Sequence, residues 1–137
     1  MRFLCIDLGD KRTGLAVCDD AETIASPIGV IEGRGDLYNK ITEAITQYQP
    51  QGLVFGLPLN MDGSQGDMAQ AVRKFAAQLS EKIELPVFFQ DERLSSFSAQ
   101  GQLSQTGLTH KKKKGKIDAI AAAEILKEFI AGRTKET

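Results

Sequence analysis

The chain has 137 residues, 42% hydrophobic and 26% charged, with a formal net charge of −1. That is enough for one compact core and too little for two ordinary ones, so residues 1–137 are expected to form a single domain. The longest apolar runs, such as 52–58 and 117–123, fall far short of the roughly 20 residues a membrane-spanning helix needs, which excludes a transmembrane protein.

The run 2–8 (RFLCIDL) reaches Asp7 after a handful of apolar residues, without the long apolar core of a signal peptide, so a cytoplasmic location is expected. With the run 14–19 (GLAVCD) and the turn-forming cluster GDKRT between them, it reads as an antiparallel hairpin. Cys5 and Cys18 lie in these strands without metal-ligand spacing and read as buried reduced thiols. With His110 the one histidine, the usual zinc ligands are missing. A third strand is predicted over 27–32, then a helix over 37–48 with Asp36 as N-cap and Leu37, Ile41, Ala44 and Ile45 on one side. The run 52–59 is apolar on both faces, as in a central covered strand. A loop NMDGSQGD leads to a long helix over 67–83, and VFFQ at 87–90 makes the fifth strand. A weaker helix is predicted over 95–106, then a lysine-rich loop, then a last helix over about 117–130.

Three strands joined by short turns, followed by strands alternating with helices, predict an α/β fold. Its mixed five-stranded sheet starts antiparallel, adds parallel strands and carries helices on both faces, which is a ribonuclease H-like topology.

In such sheets ligands gather beyond the carboxyl ends of the strands, and two strands here stop in acid: Asp7 in CIDLG, and Asp91 with Glu92 in FFQDER. Asp7 sits between Ile6 and Leu8, where a carboxylate is costly unless it is hydrogen-bonded, paired or metal-bound; the turn at Gly9 is the plainer account of it. Asp118, near the predicted start of the last helix, has a ready explanation in the helix dipole. The small residues Ala121 and Ala122 also allow that helix to bring it beside the other acids. Three carboxylates converging without histidine favour Mg²⁺ or Mn²⁺ and phosphodiester hydrolysis, with two ions about 4 Å apart in the usual scheme.

Basic and polar residues surround these acids. Lys11, Arg12 and Thr13 follow the first strand, and Asn60 and Ser64 in the next loop read equally well as phosphate contacts or as a capped turn. Residues 111–137 hold eight basic against four acidic residues, and Lys111, Lys112, Lys113, Lys114 and Lys116 precede Asp118, placed to deliver a polyanion to the acids. A solvated lysine tract is the bland alternative. The Asp-x-Gly hairpin also occurs in actin-like ATPases, but those need a duplicated domain this chain lacks, and no Walker-type loop is present.

The segments IDLGDKRTGLAV (6–17), GLPLNMDGS (56–64), DERLSS (91–96) and KIDAIAAAEIL (116–126), in this order and spacing, resemble the YqgF/RuvX-type proteins. These are bacterial ribonuclease H-fold proteins named as pre-16S rRNA nucleases and earlier as Holliday junction resolvases. The resemblance implies Asp7, one of Asp91 and Glu92, and Asp118 as the metal-binding catalytic set, with Glu92 taken as the ligand and Asp91 as the alternative. Arg93 is an added phosphate or acid partner. Structured RNA in 5′-end maturation of pre-16S rRNA is the implied substrate, on or off a ribosomal particle. Branched DNA is the runner-up, and it requires a dimer; the sequence leaves monomer or homodimer open. A noncatalytic nucleic-acid-binding module of the same fold is the reading from another class.

Overall fold

The computed structural model describes residues 1–60, 62–91 and 110–135. The two N-terminal apolar runs form β1 (Phe3–Leu8) and β2 (Arg12–Cys18), and β3 (Ala25–Glu32) completes the antiparallel start. Then follow α1 (Leu37–Tyr48), β4 (Gly52–Leu57), α2 (Asp67–Ser80), β5 (Val87–Asp91) and α3 (His110–Lys135). The sheet order is β3-β2-β1-β4-β5, with β4 parallel to β1 and β5 parallel to β4. This is the predicted mixed five-stranded sheet, with β1 at its centre.

Side chains alternate across each strand, so the two faces build separate cores. Leu4, Ile6, Leu8, Leu53, Phe55 and Leu57 pack with Leu37 and Ile41 of α1 and Val72, Ala76 and Leu79 of α2. Phe3, Cys5, Ala16, Cys18 and Val54 pack with Ala122, Ile125, Leu126 and Ile130 of α3. Complete burial of a Leu, Ile or Phe is worth about 1.5–3 kcal/mol, and both layers contain several. The far end of α3 is anchored by Arg133, whose guanidinium lies 4.8 Å over the Phe3 ring and whose Nε donates to Glu22 at 2.6 Å. Both cysteines are buried thiols. Burial pushes the Cys18 thiol pKa up, as expected of a core thiol. Among the described residues no helix is long and apolar enough to cross a membrane.

The largest departure from the predicted elements is α3. The lysine run is not a loop: it makes the first turns of a 26-residue helix that starts at His110. Mutual repulsion argued for a loop, yet lysine is a strong helix former, the single Gly115 costs only about 1 kcal/mol, and the helix is held downstream by its buried Ala and Ile residues. Asp118 therefore stands in the third turn, so the first-turn dipole explanation no longer applies. β2 begins at Arg12, two residues before the predicted start, so Arg12 and Thr13 are strand residues and the turn is only 9–11. β3 starts earlier than predicted, and β4 and α2 end earlier. The helix predicted over 95–106 lies outside the described residues.

Two details of the sheet lead to measurable stability effects. Thr13 is 1% exposed, paired across strands with Leu8 and Ile31, and its Oγ1 is a buried oxygen without a hydrogen-bond partner among the described residues. Thr13→Val keeps the shape and removes the stranded hydroxyl, so chemical denaturation is expected to show a gain of about 1 kcal/mol. A loss of that size would mean the hydroxyl is satisfied.

In the turn between β2 and β3 the Asp19 carboxylate accepts from the backbone N–H of Thr23 at 2.7 Å and of Ile24 at 2.9 Å, and from the Thr23 hydroxyl. These bonds, the Ile24 N–H foremost, hold its pKa down to about 2. Because the folded value lies below the unfolded value of about 4, the stabilisation is complete above about pH 4 and is lost as pH falls toward 2. Urea melts of wild type and Asp19→Ala should therefore differ at about pH 6 and converge toward about pH 2. Parallel pH dependences would contradict this.

Candidate active site

Asp7 follows Phe3 and Cys5 in phase, which puts it on the α3 face of the sheet at the carboxyl end of β1. Its cross-strand partner is Gly14. A Cβ built on Gly14 would stand 2.0 Å from the Asp118 carbonyl oxygen and 3.2 Å from the Ala119 nitrogen, so the α3 backbone lies directly on the bare glycine. Gly14 is thus where the α3 backbone at Asp118 meets the strand position paired with Asp7. The sequence pointed to Ala121 and Ala122 for this approach. Both are buried, at 3% and 0%, but the tightest contact is at Gly14 on the strand side.

Alternation also orients Asp91, the last residue of β5. Val87 and Phe89 join the α1/α2 core and Phe88 joins the α3 core, so Asp91 is in phase with the α1/α2 side, away from Asp7. Glu92 and Arg93 lie outside the described residues. Among the described residues, no three His, Cys, Asp or Glu side chains gather to hold a metal ion. The described part of the candidate site is the pair Asp7 and Asp118. Its donors are hard carboxylate oxygens, with no histidine among the described side chains, a chemistry that fits Mg²⁺ or Mn²⁺ rather than zinc.

The basic and polar candidates divide. Lys11 is exposed at the tip of the β1–β2 turn, whereas Arg12 Nε faces Glu32 Oε1 at 3.6 Å. Thr13 is buried on the opposite face, in phase with Leu15 of the α1/α2 core. Asn60 and Ser64 hold a turn together: Asn60 Nδ2 donates to Ser64 Oγ at 3.0 Å, and the Ser64 hydroxyl donates to Asp62 at 2.6 Å. Lys111, Lys112, Lys113, Lys114 and Lys116 lie on α3 within the two turns before Asp118. One residue escaped the sequence reading. Arg34, in the loop after β3, donates from Nε and Nη2 to the Gly9 carbonyl at 3.2 and 2.8 Å. No linear motif marks it, since its partner is a backbone carbonyl 25 positions away.

Residues 1–132 match the family model RuvX, described as Holliday junction resolvase. A protein of Anaeromyxobacter sp. (strain Fw109-5), named "Putative pre-16S rRNA nuclease", is 41% identical over 136 residues, covering 97% of this chain and 98% of its own. One of the same name from Legionella pneumophila (strain Philadelphia 1) is 39% identical over 130 residues, covering 93% and 94%. Among solved structures, Thermus thermophilus RuvC in complex with a Holliday junction substrate superimposes with a TM-score of 0.62 at 14% identity, covering 98% of this chain and 96% of that one. The fowlpox virus resolvase in complex with junction DNA gives 0.60 at 13%, covering 97% and 99%. At that identity these two establish the shared ribonuclease H-like fold alone. The matched length and the identity to full-length relatives establish more: the chain belongs to the RuvX family.

Proposed function

We propose that this protein is a metal-dependent nuclease that hydrolyses phosphodiester bonds, with Asp7, Glu92 and Asp118 as its metal-binding catalytic residues. The observation that carries it is the seating of Asp118 on Gly14, the cross-strand partner of Asp7. Two acidic positions at one end of one sheet face supply hard carboxylate oxygens, the donors a divalent cation takes up. Glu92 is taken into the set from the resemblance of the segment DERLSS (91–96) to the family, whereas Asp91 is in phase with Phe89 and Val87 of the α1/α2 core. A bound divalent ion supplies charge neutralisation at the phosphate and lowers the pKa of the attacking water. The protein's own part is to fix the carboxylates on a rigid sheet and helix, and to meet the substrate backbone with Lys11 and the lysines at the start of α3.

Pre-16S rRNA is the substrate best supported, because relatives near 40% identity over nearly their whole length carry that name. Four-way junction DNA is the second reading, favoured by the family's description and by the RuvC likeness. Incubating the protein and Mg²⁺ or Mn²⁺ with a pre-16S 5′-leader RNA and, separately, with a DNA four-way junction distinguishes them. Cleavage of the RNA is expected; cleavage confined to the junction transfers the assignment to the resolvase reading. Salt-sensitive binding of both without cleavage leaves a noncatalytic module.

A further inference from the structure

We propose that Arg34 and Lys11 form a phosphate clamp at the tip of the β1–β2 hairpin, gripping the nucleic-acid backbone beside the cleavage point. This inference rests on the nucleic-acid reading above and adds a residue that reading did not contain. The turn 9–11 is gripped from the side by the loop that follows β3. Gly33 N–H donates to the Lys11 carbonyl at 2.8 Å, and Arg34 forks onto the Gly9 carbonyl. Gly33 makes this possible, since its φ of +74° is open to glycine at little cost and turns the chain so that both donors meet the hairpin.

The charges at this end are distributed unevenly. Arg12 has Glu32 as its partner, whereas among the described residues neither Lys11 nor Arg34 is ion-paired to a carboxylate. Arg34 uses two of its five N–H groups on a neutral carbonyl, so it keeps its full charge and three donors while its orientation is fixed. A guanidinium already held in place loses little side-chain entropy on meeting a phosphate, the group its fork geometry suits. The turn begins two residues, about 7 Å, beyond Asp7 along the strand. At about 3.4 Å rise per nucleotide, that is one or two nucleotides from a bond cleaved at Asp7. Asp10 shares the exposed tip and opposes the anion, which supplies a second test of sign.

The test is fluorescence anisotropy of a labelled RNA hairpin with a single-stranded tail, in EDTA so that no cleavage intervenes, across about 50–200 mM KCl. Arg34→Gln and Lys11→Gln are each expected to weaken binding about 3- to 10-fold at low salt and to flatten the log K against log salt slope by about 0.7–0.9, one phosphate contact apiece. Arg34→Lys, which keeps the charge without the fork, should fall between, and Asp10→Asn should tighten binding. Lys40→Gln, on the exposed side of α1, is the charge-matched control. The clamp is overturned if Arg34→Gln behaves like Lys40→Gln, if only Lys11→Gln flattens the slope, or if wild type does not bind. Binding that follows the expected order in a protein that cleaves nothing leaves the clamp standing and removes the nuclease reading instead.

Discussion

Asp7→Asn is expected to lower metal-dependent cleavage by about three orders of magnitude, the several kcal/mol that a metal-holding carboxylate contributes to the transition state. The same substitution should leave the metal-free protein about as stable as before, because in this account the charge of Asp7 serves a bound cation rather than the fold. This opposition separates the functional account from the bland one. Were Asp7 only the acceptor for the turn at Gly9, Asn would cost about 1 kcal/mol of stability and little activity. Thermal melts and single-turnover rates on the same two proteins check both halves. An active, destabilised Asp7→Asn variant would return Asp7 to a structural role.

Gly14→Ala carries the next largest effect. Its methyl would lie 2.0 Å from the Asp118 carbonyl oxygen and 2.6 Å from the carbonyl carbon, atoms of a helix backbone that cannot rotate aside. α3 must lift by about 1 Å or more, and such a displacement of a catalytic group costs about 100-fold in rate. Overpacking against backbone is also expected to destabilise by about 3 kcal/mol. Gly29→Ala is the control, since a Cβ there meets nothing within 4 Å, and its melt is expected to stay within about 0.5 kcal/mol of wild type. A Gly14→Ala variant with wild-type rate would show that the seating of α3 on Gly14 does not set the working position of Asp118.

Much of this was legible in the sequence because local patterns and tertiary packing agree. The alternation in 3–8, the two-faced apolar run 52–57 and the one-sided helix 37–48 each match the environment they enter. Asp7 could be singled out because a carboxylate breaks an apolar strand. What escaped depends on partners distant in the chain. The start of α3 at His110 follows from helix propensity and downstream anchoring outweighing the repulsion of adjacent lysines. Thr13 looked like a loop hydroxyl until its pairing with Leu8 and Ile31 buried it. Arg12 and Arg34 exchange roles because Glu32 lies across from Arg12 and the Gly9 carbonyl lies beside Arg34, and neither neighbour can be read from spacing. Asp91 could be assigned to the α1/α2 side only once Val87 and Phe89 were seen in one core and Phe88 in the other.

The most direct test of a carboxylate centre on the α3 face is the rate of Mg²⁺-dependent cleavage by Glu92→Gln and Asp91→Asn beside wild type. A loss of at least about 100-fold in Glu92→Gln, with Asp91→Asn within about threefold of wild type, is the predicted result. Loss confined to Asp91→Asn, or no metal-dependent cleavage by wild type, would contradict it.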